Sequence, residues 1–183
     1  MVWSCLVSIL PGMAQTEKLT DYVNPFVGTD GYGNVYPGAQ IPFGGIQISP
    51  DTDSRFYDAA SGYKYNHLTL MGFSLTHLSG TGIPDLGDFL FIPGTGEMKL
   101  EPGTHEDPDQ GYRSRYSHDK EWASPNYYAV ELADYGVKAE MTSGVRSGMF
   151  RFTYPESDNA FIMIDMNHTL WQSCEWSNLR MIN

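Results

Sequence analysis

The sequence predicts a mainly β domain built as a sandwich, and three features carry the prediction. Short segments with two-residue alternation recur at intervals of roughly 10 residues through the second half of the chain, the rhythm of strands joined by tight turns. Aromatic residues make up 14% of the chain and charged residues only 18%, a balance suited to pleated, half-buried surfaces. Nineteen glycines and 11 prolines supply the turns. No long stretch keeps a helical period with caps, which confines helix to one short candidate at residues 68–75. At 183 residues the chain holds one ordinary domain with its own core rather than two.

Residues 2–10 form a mostly apolar run, and Gly12-Met13-Ala14 offers small residues where a signal peptidase needs them. Residues 1–14 therefore read as a signal peptide remnant, although no Lys or Arg precedes the run, and residues 15–183 as the mature chain; the competing reading is a buried first strand. No stretch reaches the roughly 20 apolar residues of a membrane span. The expected location is exported, in the periplasm or at a bacterial cell surface. With the leader removed, Cys174 is the one remaining cysteine, expected as a buried free thiol that packs like a small hydrophobe.

Residues 19–53 carry successive turn signals, Asn24-Pro25, Gly31-Tyr32-Gly33-Asn34 and Tyr36-Pro37-Gly38, and read as an ordered loop region. Residues 45–50 alternate briefly and stop at Pro50, as a short half-buried strand would. Residues 89–92, Phe-Leu-Phe-Ile, are apolar on both sides and predict a strand covered on both faces. The clearest hairpin joins residues 127–132 to 137–141 through a turn containing Gly136. Residues 149–154 and 160–166 complete the series. Residues 177–183 show no closing strand, and the chain is expected to be part of a longer one.

A net charge of -11 disfavours nucleic acid or any partner held mainly through phosphates. No serine sits in a G-x-S-x-G elbow, Gly31-Tyr32-Gly33 lacks the third glycine of a dinucleotide loop, and no Cys/His spacing suits a metal. Residues 105–109, His-Glu-Asp-Pro-Asp, match neither a zinc helix nor a calcium loop and read as a solvated acidic loop.

The densest chemistry lies in residues 73–82, where His77, Ser79, Gly80, Thr81 and Gly82 fall together, with Asp85 and Asp88 just beyond. Hydroxyls, and backbone amides freed by glycine, suit the hydroxyl groups of a sugar, and His with Asp can fix its orientation. The same residues could equally satisfy neighbouring backbone groups in a plain loop. Glycosidases use paired carboxylates, for which Asp51 with Asp53 and Asp85 with Asp88 are candidates, but capping and turn formation are the ordinary explanation of such aspartates. Tyr63, Tyr65, Trp122, Trp171 and Trp176 are among the aromatics that could stack on a sugar ring or simply fill the core. Asn167-His168-Thr169 fits a glycosylation acceptor pattern.

These motifs occur in an order that resembles the opening of glycoside hydrolase family 92: Asn24-Pro25-Phe26-Val27-Gly28-Thr29, Ile41-Pro42-Phe43-Gly44, Gln47-Ile48-Ser49-Pro50-Asp51-Thr52, Ser61-Gly62-Tyr63, Thr76-His77-Leu78-Ser79-Gly80-Thr81-Gly82 and Gly87-Asp88. The resemblance covers nearly all of the mature chain. It implies an N-terminal β-sandwich of the galactose-mutarotase-like type from a calcium-dependent, inverting exo-α-mannosidase that removes terminal mannose from glycans. It also implies that the catalytic carboxylates and the calcium site belong to a following helical domain, leaving no catalytic residue and no metal ligand in this chain, which alone would be inactive and poorly soluble.

By the same resemblance the sandwich lends loops to the substrate pocket, with His77, Ser79, Gly80, Thr81, Gly82, Asp85, Asp88, Tyr63 and Asp53 as candidate contacts. The match departs at residues 55–60, Arg-Phe-Tyr-Asp-Ala-Ala, which lack the tryptophan many members carry before Ser-Gly-Tyr, so the resemblance leaves the α-1,2 linkage preference open, with Phe56 or Tyr57 as another stacking surface. A stand-alone carbohydrate-binding module and a structural surface sandwich are the competing readings.

Overall fold

The computed structural model describes residues 17–54 and 57–182; the expected leader lies outside them. Ten strands are present among the described residues: β1 (Ser49–Asp51), β2 (Thr69–Leu70), β3 (Gly72–Ser74), β4 (Leu90–Thr95), β5 (Ser114–Arg115), β6 (Glu121–Ser124), β7 (Tyr127–Leu132), β8 (Val137–Ser143), β9 (Gly148–Thr153) and β10 (Ala160–Asp165). They form a four-stranded sheet ordered β1-β3-β4-β10, a second ordered β6-β7-β8-β9, and a two-stranded ribbon of β2 with β5. Every pairing between these strands is antiparallel.

The hairpin of β7 and β8 closes at Leu132 opposite Val137, with Tyr135 N–H bonded to the Leu132 carbonyl and Gly136 at φ 64°. Only glycine takes that left-handed conformation without strain. Alternation then sends Tyr128, Val130 and Leu132 of β7, with Val137, Ala139 and Met141 of β8, into one core shared with Ile48, Leu70 and Phe73. Each fully buried large apolar side chain is worth about 1.5–3 kcal/mol. Met71, Leu90, Ile92 and Tyr112 form a second cluster. After β9 the chain crosses over, so that β10 pairs with β4 in the opposite sheet.

Four expectations change. Residues 68–75 are extended as β2 and β3 instead of helical, because so short a segment cannot offset helix nucleation while two neighbours offer ladder bonds. The strand expected to stop at Pro50 runs through it: β1 is the edge of its sheet, where a missing N–H costs no ladder bond. Residues 105–109 are solvated only in part, since Pro108 is buried and His105 turns inward onto Asp53. Cys174 is half-buried, its thiol directed at the Trp176 carbonyl, and not enclosed in the core. The run at residues 89–92 does form an interior strand, β4, and β3 meets it only at Phe91, which leaves Pro93 where its absent N–H opposes no partner.

Candidate functional site

Strand β1 ends by carrying Asp51, Thr52 and Asp53 into the interior, all three with no solvent exposure. Four of the five histidines in the chain gather around these three residues. Asp51 accepts from His77 Nε2 at 2.8 Å through one carboxylate oxygen and from His168 Nε2 at 2.7 Å through the other. His77 Nδ1 donates to the Gln47 carbonyl at 2.7 Å, and Ser74 Oγ lies 3.0 Å from its Nε2. A carbonyl and a carboxylate can only accept, so both ring nitrogens of His77 donate. Burial pushes the Asp51 carboxyl up, but the charge of His77 and the hydrogen bonds from both histidines outweigh it and hold the group well below the usual carboxylate range.

Asp53 receives His105 Nε2 at 3.1 Å, and His105 Nδ1 lies 2.8 Å from Thr69 Oγ1. The ring of His67 packs against that of His105 with centroids 4.0 Å apart and reaches Thr52 Oγ1 at 3.0 Å. Arg113, also buried, donates to the Thr52 carbonyl. The arrangement locks the end of β1 to segments 15 to 117 residues away.

Above this cluster runs the loop of residues 76–88. Gly87 bridges both Thr76 and Thr169, Leu170 N–H bonds the Leu86 carbonyl, and Trp171 N–H bonds the Ser54 carbonyl, the last two at 2.8 Å. Leu86, Gly87, Asp88 and Phe89 take φ of 72°, 107°, 42° and 55° in succession. For non-glycine residues this left-handed backbone costs about 1–2 kcal/mol each, a concentration of strain typical of loops held for a task. Gly82 lies against Asn34 and Tyr57, and Gly80 N–H bonds the Asn34 carbonyl at 2.6 Å, which joins the loop to the turn at residues 31–34.

The sequence-derived candidates separate into three groups. His77 and Asp53 are buried members of the β1 cluster. Ser79, Gly80, Thr81, Asp85 and Asp88 are exposed along the loop, with Gly82 buried at its base; Asp85 accepts from Leu86 N–H, and Asp88 from Thr76 Oγ1 at 2.8 Å. Tyr63 stands apart in the core, donating to Glu121, which also receives Tyr128 and His118.

The turn reading of Asp51 and Asp53 is overturned, since both carboxylates are buried acceptors of histidine bonds. His168 was legible only as part of a glycosylation pattern, yet it is buried and bound to Asp51. No spacing signal connects positions 117 residues apart.

His168 also lines an open depression of about 920 Å³ beside β10, together with Ser54, Met71, Asp165, Asn167 and Trp171. At Asp51, Asp109 and Glu140 the carboxyl is displaced from its ordinary value, and in each case it moves down. Calcium requires six to eight oxygen ligands. Both oxygens of Asp51 face histidine nitrogens, and among the described residues no group of three or more His, Cys, Asp or Glu side chains is placed to hold a metal ion.

A two-sheet antiparallel sandwich, with a strained glycine-rich loop anchored over a buried aspartate–histidine cluster, is thus the class of protein that fold and site define. Residues 22–183 match the glycosyl hydrolase family 92 N-terminal domain, and the chain belongs to that family. A secreted glycosidase of Arthroderma benhamiae, itself uncharacterized, is 30% identical over 139 residues, which is 75% of this chain and 17% of the relative. Among solved structures, the family GH92 glycosyl hydrolase ccman5 superposes with a TM-score of 0.70 at 31% identity, and a family GH92 inverting mannosidase from Bacteroides thetaiotaomicron with 0.65 at 27%. Each superposition covers 82% of this chain and 20% of the solved one. The chain therefore spans about one fifth of the length of these relatives.

Proposed function

We propose that this chain is the N-terminal sandwich of an exported, inverting α-mannosidase that removes terminal mannose from glycans, and that its residue 76–88 loop forms part of the substrate pocket. Family membership and the similarity to an inverting mannosidase support the reading. The observation that carries the pocket assignment is the strained run at residues 86–89, fixed between the Asp51 cluster and residues 169–171 while Ser79, Thr81, Asp85 and Asp88 keep their polar groups at the surface.

In this reading the chain binds and orients and does not itself transfer protons. The Asp51, His77 and His168 triad holds the loop in place. Exposed hydroxyls and carboxylates of the loop, with the backbone amides freed by its glycines, meet sugar hydroxyls. Export agrees with the secreted relative, and no helix among the described residues is long and apolar enough to cross a membrane. The resemblance to a calcium-dependent family leads us to expect calcium in the intact enzyme, at a site on its helical domain. Incubating the intact protein with α-linked mannobiose, and with the corresponding galactosides and glucosides, tests the reading: release of mannose alone is expected, with and without a chelator to report the metal. Binding without hydrolysis would favour a carbohydrate-binding module instead.

A further inference from the structure

We infer that the depression beside β10 is a saccharide-binding site, with the indole of Trp171 as its stacking face and the side chains of Gln172, Asn167 and Ser54 as its hydrogen-bonding groups. Its volume, about 920 Å³, matches the size of small-ligand pockets and accommodates more than one pyranose ring.

Trp171 is the reason to assign it. The residue sits at φ 72°, a conformation a bulky side chain avoids, and the surrounding chain holds it there through three anchors. Its own N–H bonds the Ser54 carbonyl, Leu170 N–H bonds the Leu86 carbonyl, and His168 is clamped on buried Asp51. Within this chain 56% of Trp171 is exposed, and the residue lines the depression. A flat apolar face of this kind is what the axial hydrogens of a sugar ring pack against.

The polar groups fit the same ligand class. Among the described residues the Gln172 amide and the Ser54 hydroxyl have no hydrogen-bond partner, and Asn167 uses only its oxygen, to accept from Ser177. Amides and hydroxyls both donate and accept, as neutral hydroxyl-rich ligands require. Asp165 and Glu101 add carboxylate acceptors, and among the described residues no Lys or Arg lines the depression, a charge balance that suits a neutral ligand better than a phosphorylated or sulfated one. Leu100, Met163 and Ile164 are among the apolar residues of the lining.

This assignment rests on the mannosidase reading for the identity of the sugar, and the test separates the two. In the intact protein, Trp171→Gly removes the ring while suiting the left-handed backbone, so the melting temperature is expected to hold; Trp171→Phe keeps a stacking face. With α-linked mannobiose as substrate, Trp171→Gly should raise KM about tenfold, the scale of one lost aromatic contact, with kcat little changed. Trp171→Phe should stay within about threefold of wild type, since a smaller ring retains most of that contact, yet lose the mannobiose-induced change in tryptophan fluorescence.

An unchanged KM in Trp171→Gly, with the wild-type protein active, overturns the site and leaves the mannosidase reading standing. Equal loss of activity in both variants together with a lowered melting temperature also overturns it, by making Trp171 structural. A wild-type protein that hydrolyses no mannoside, but whose fluorescence responds to methyl α-mannoside or cellobiose through Trp171, sinks the mannosidase reading while the saccharide site survives.

Discussion

Replacing Asp51 by alanine removes the point at which three distant segments meet. The carboxylate is fully buried and receives two short bonds, 2.8 Å from His77 and 2.7 Å from His168, so its partners have no water to turn to when it is lost. Breaking a buried, charge-assisted pair by deleting one partner costs about 3–5 kcal/mol, against a whole-domain stability of about 5–15 kcal/mol. Asp51→Asn keeps the shape, and an amide oxygen can still accept from one histidine, which limits the loss to about 1–3 kcal/mol.

The pH dependence has a definite sign. The folded-state carboxyl lies below its unfolded value, so its contribution is fully present above the unfolded value of about 3.9 and is lost as pH falls through the lower folded value. Urea unfolding at neutral pH and again below pH ~4 reads both effects: the gap between wild type and Asp51→Asn should be widest at neutral pH and narrow in acid. A neutral-pH loss below about 1 kcal/mol in Asp51→Ala, the range of exposed pairs, would refute the claim that this cluster holds the site together.

Three further outcomes follow from the same geometry. Gly38→Ala should destabilise by at least about 2 kcal/mol, because a Cβ there overlaps the Ile48 carbonyl and the Ser49 backbone, whereas Gly80→Ala, with open space but φ 74°, should cost only about 1–2 kcal/mol; paired melting curves compare them. Glu121→Ala leaves the hydroxyls of Tyr63 and Tyr128 and the ring of His118 without their shared acceptor, and should cost about 3–5 kcal/mol in denaturant unfolding, with Tyr63→Phe near about 1 kcal/mol. The Glu140 carboxyl, held down to about 2 by hydrogen bonds from Arg151 and Tyr127, should show no carboxyl titration between pH ~3 and 6 in NMR, the range of ordinary glutamates.

What was legible in the sequence follows the range of each interaction. The β7–β8 hairpin announced itself because alternation and Gly136 are local signals, and the apolar run at residues 89–92 marked an interior strand. The partnership of β10 with β4 left no trace, since an edge and its partner share only generic apolar character. The candidate site divided the same way. His77 and the glycines around it stood out as a cluster of polar residues in one stretch, while Asp51 hid among ordinary turn aspartates and His168 within a glycosylation pattern. Their roles exist only once β1 and the segment after β10 meet. Trp171 was one aromatic among several until its backbone conformation and exposure set it apart. The family resemblance was nevertheless readable, because it rests on the order of many short motifs rather than on contacts.

The most direct test of the account follows the anomeric proton of the sugar released from an α-mannoside by the intact protein, in real time by NMR. An inverting enzyme releases β-mannose first, which then mutarotates. Initial release of α-mannose, or no release of mannose at all, would contradict the inverting-mannosidase proposal.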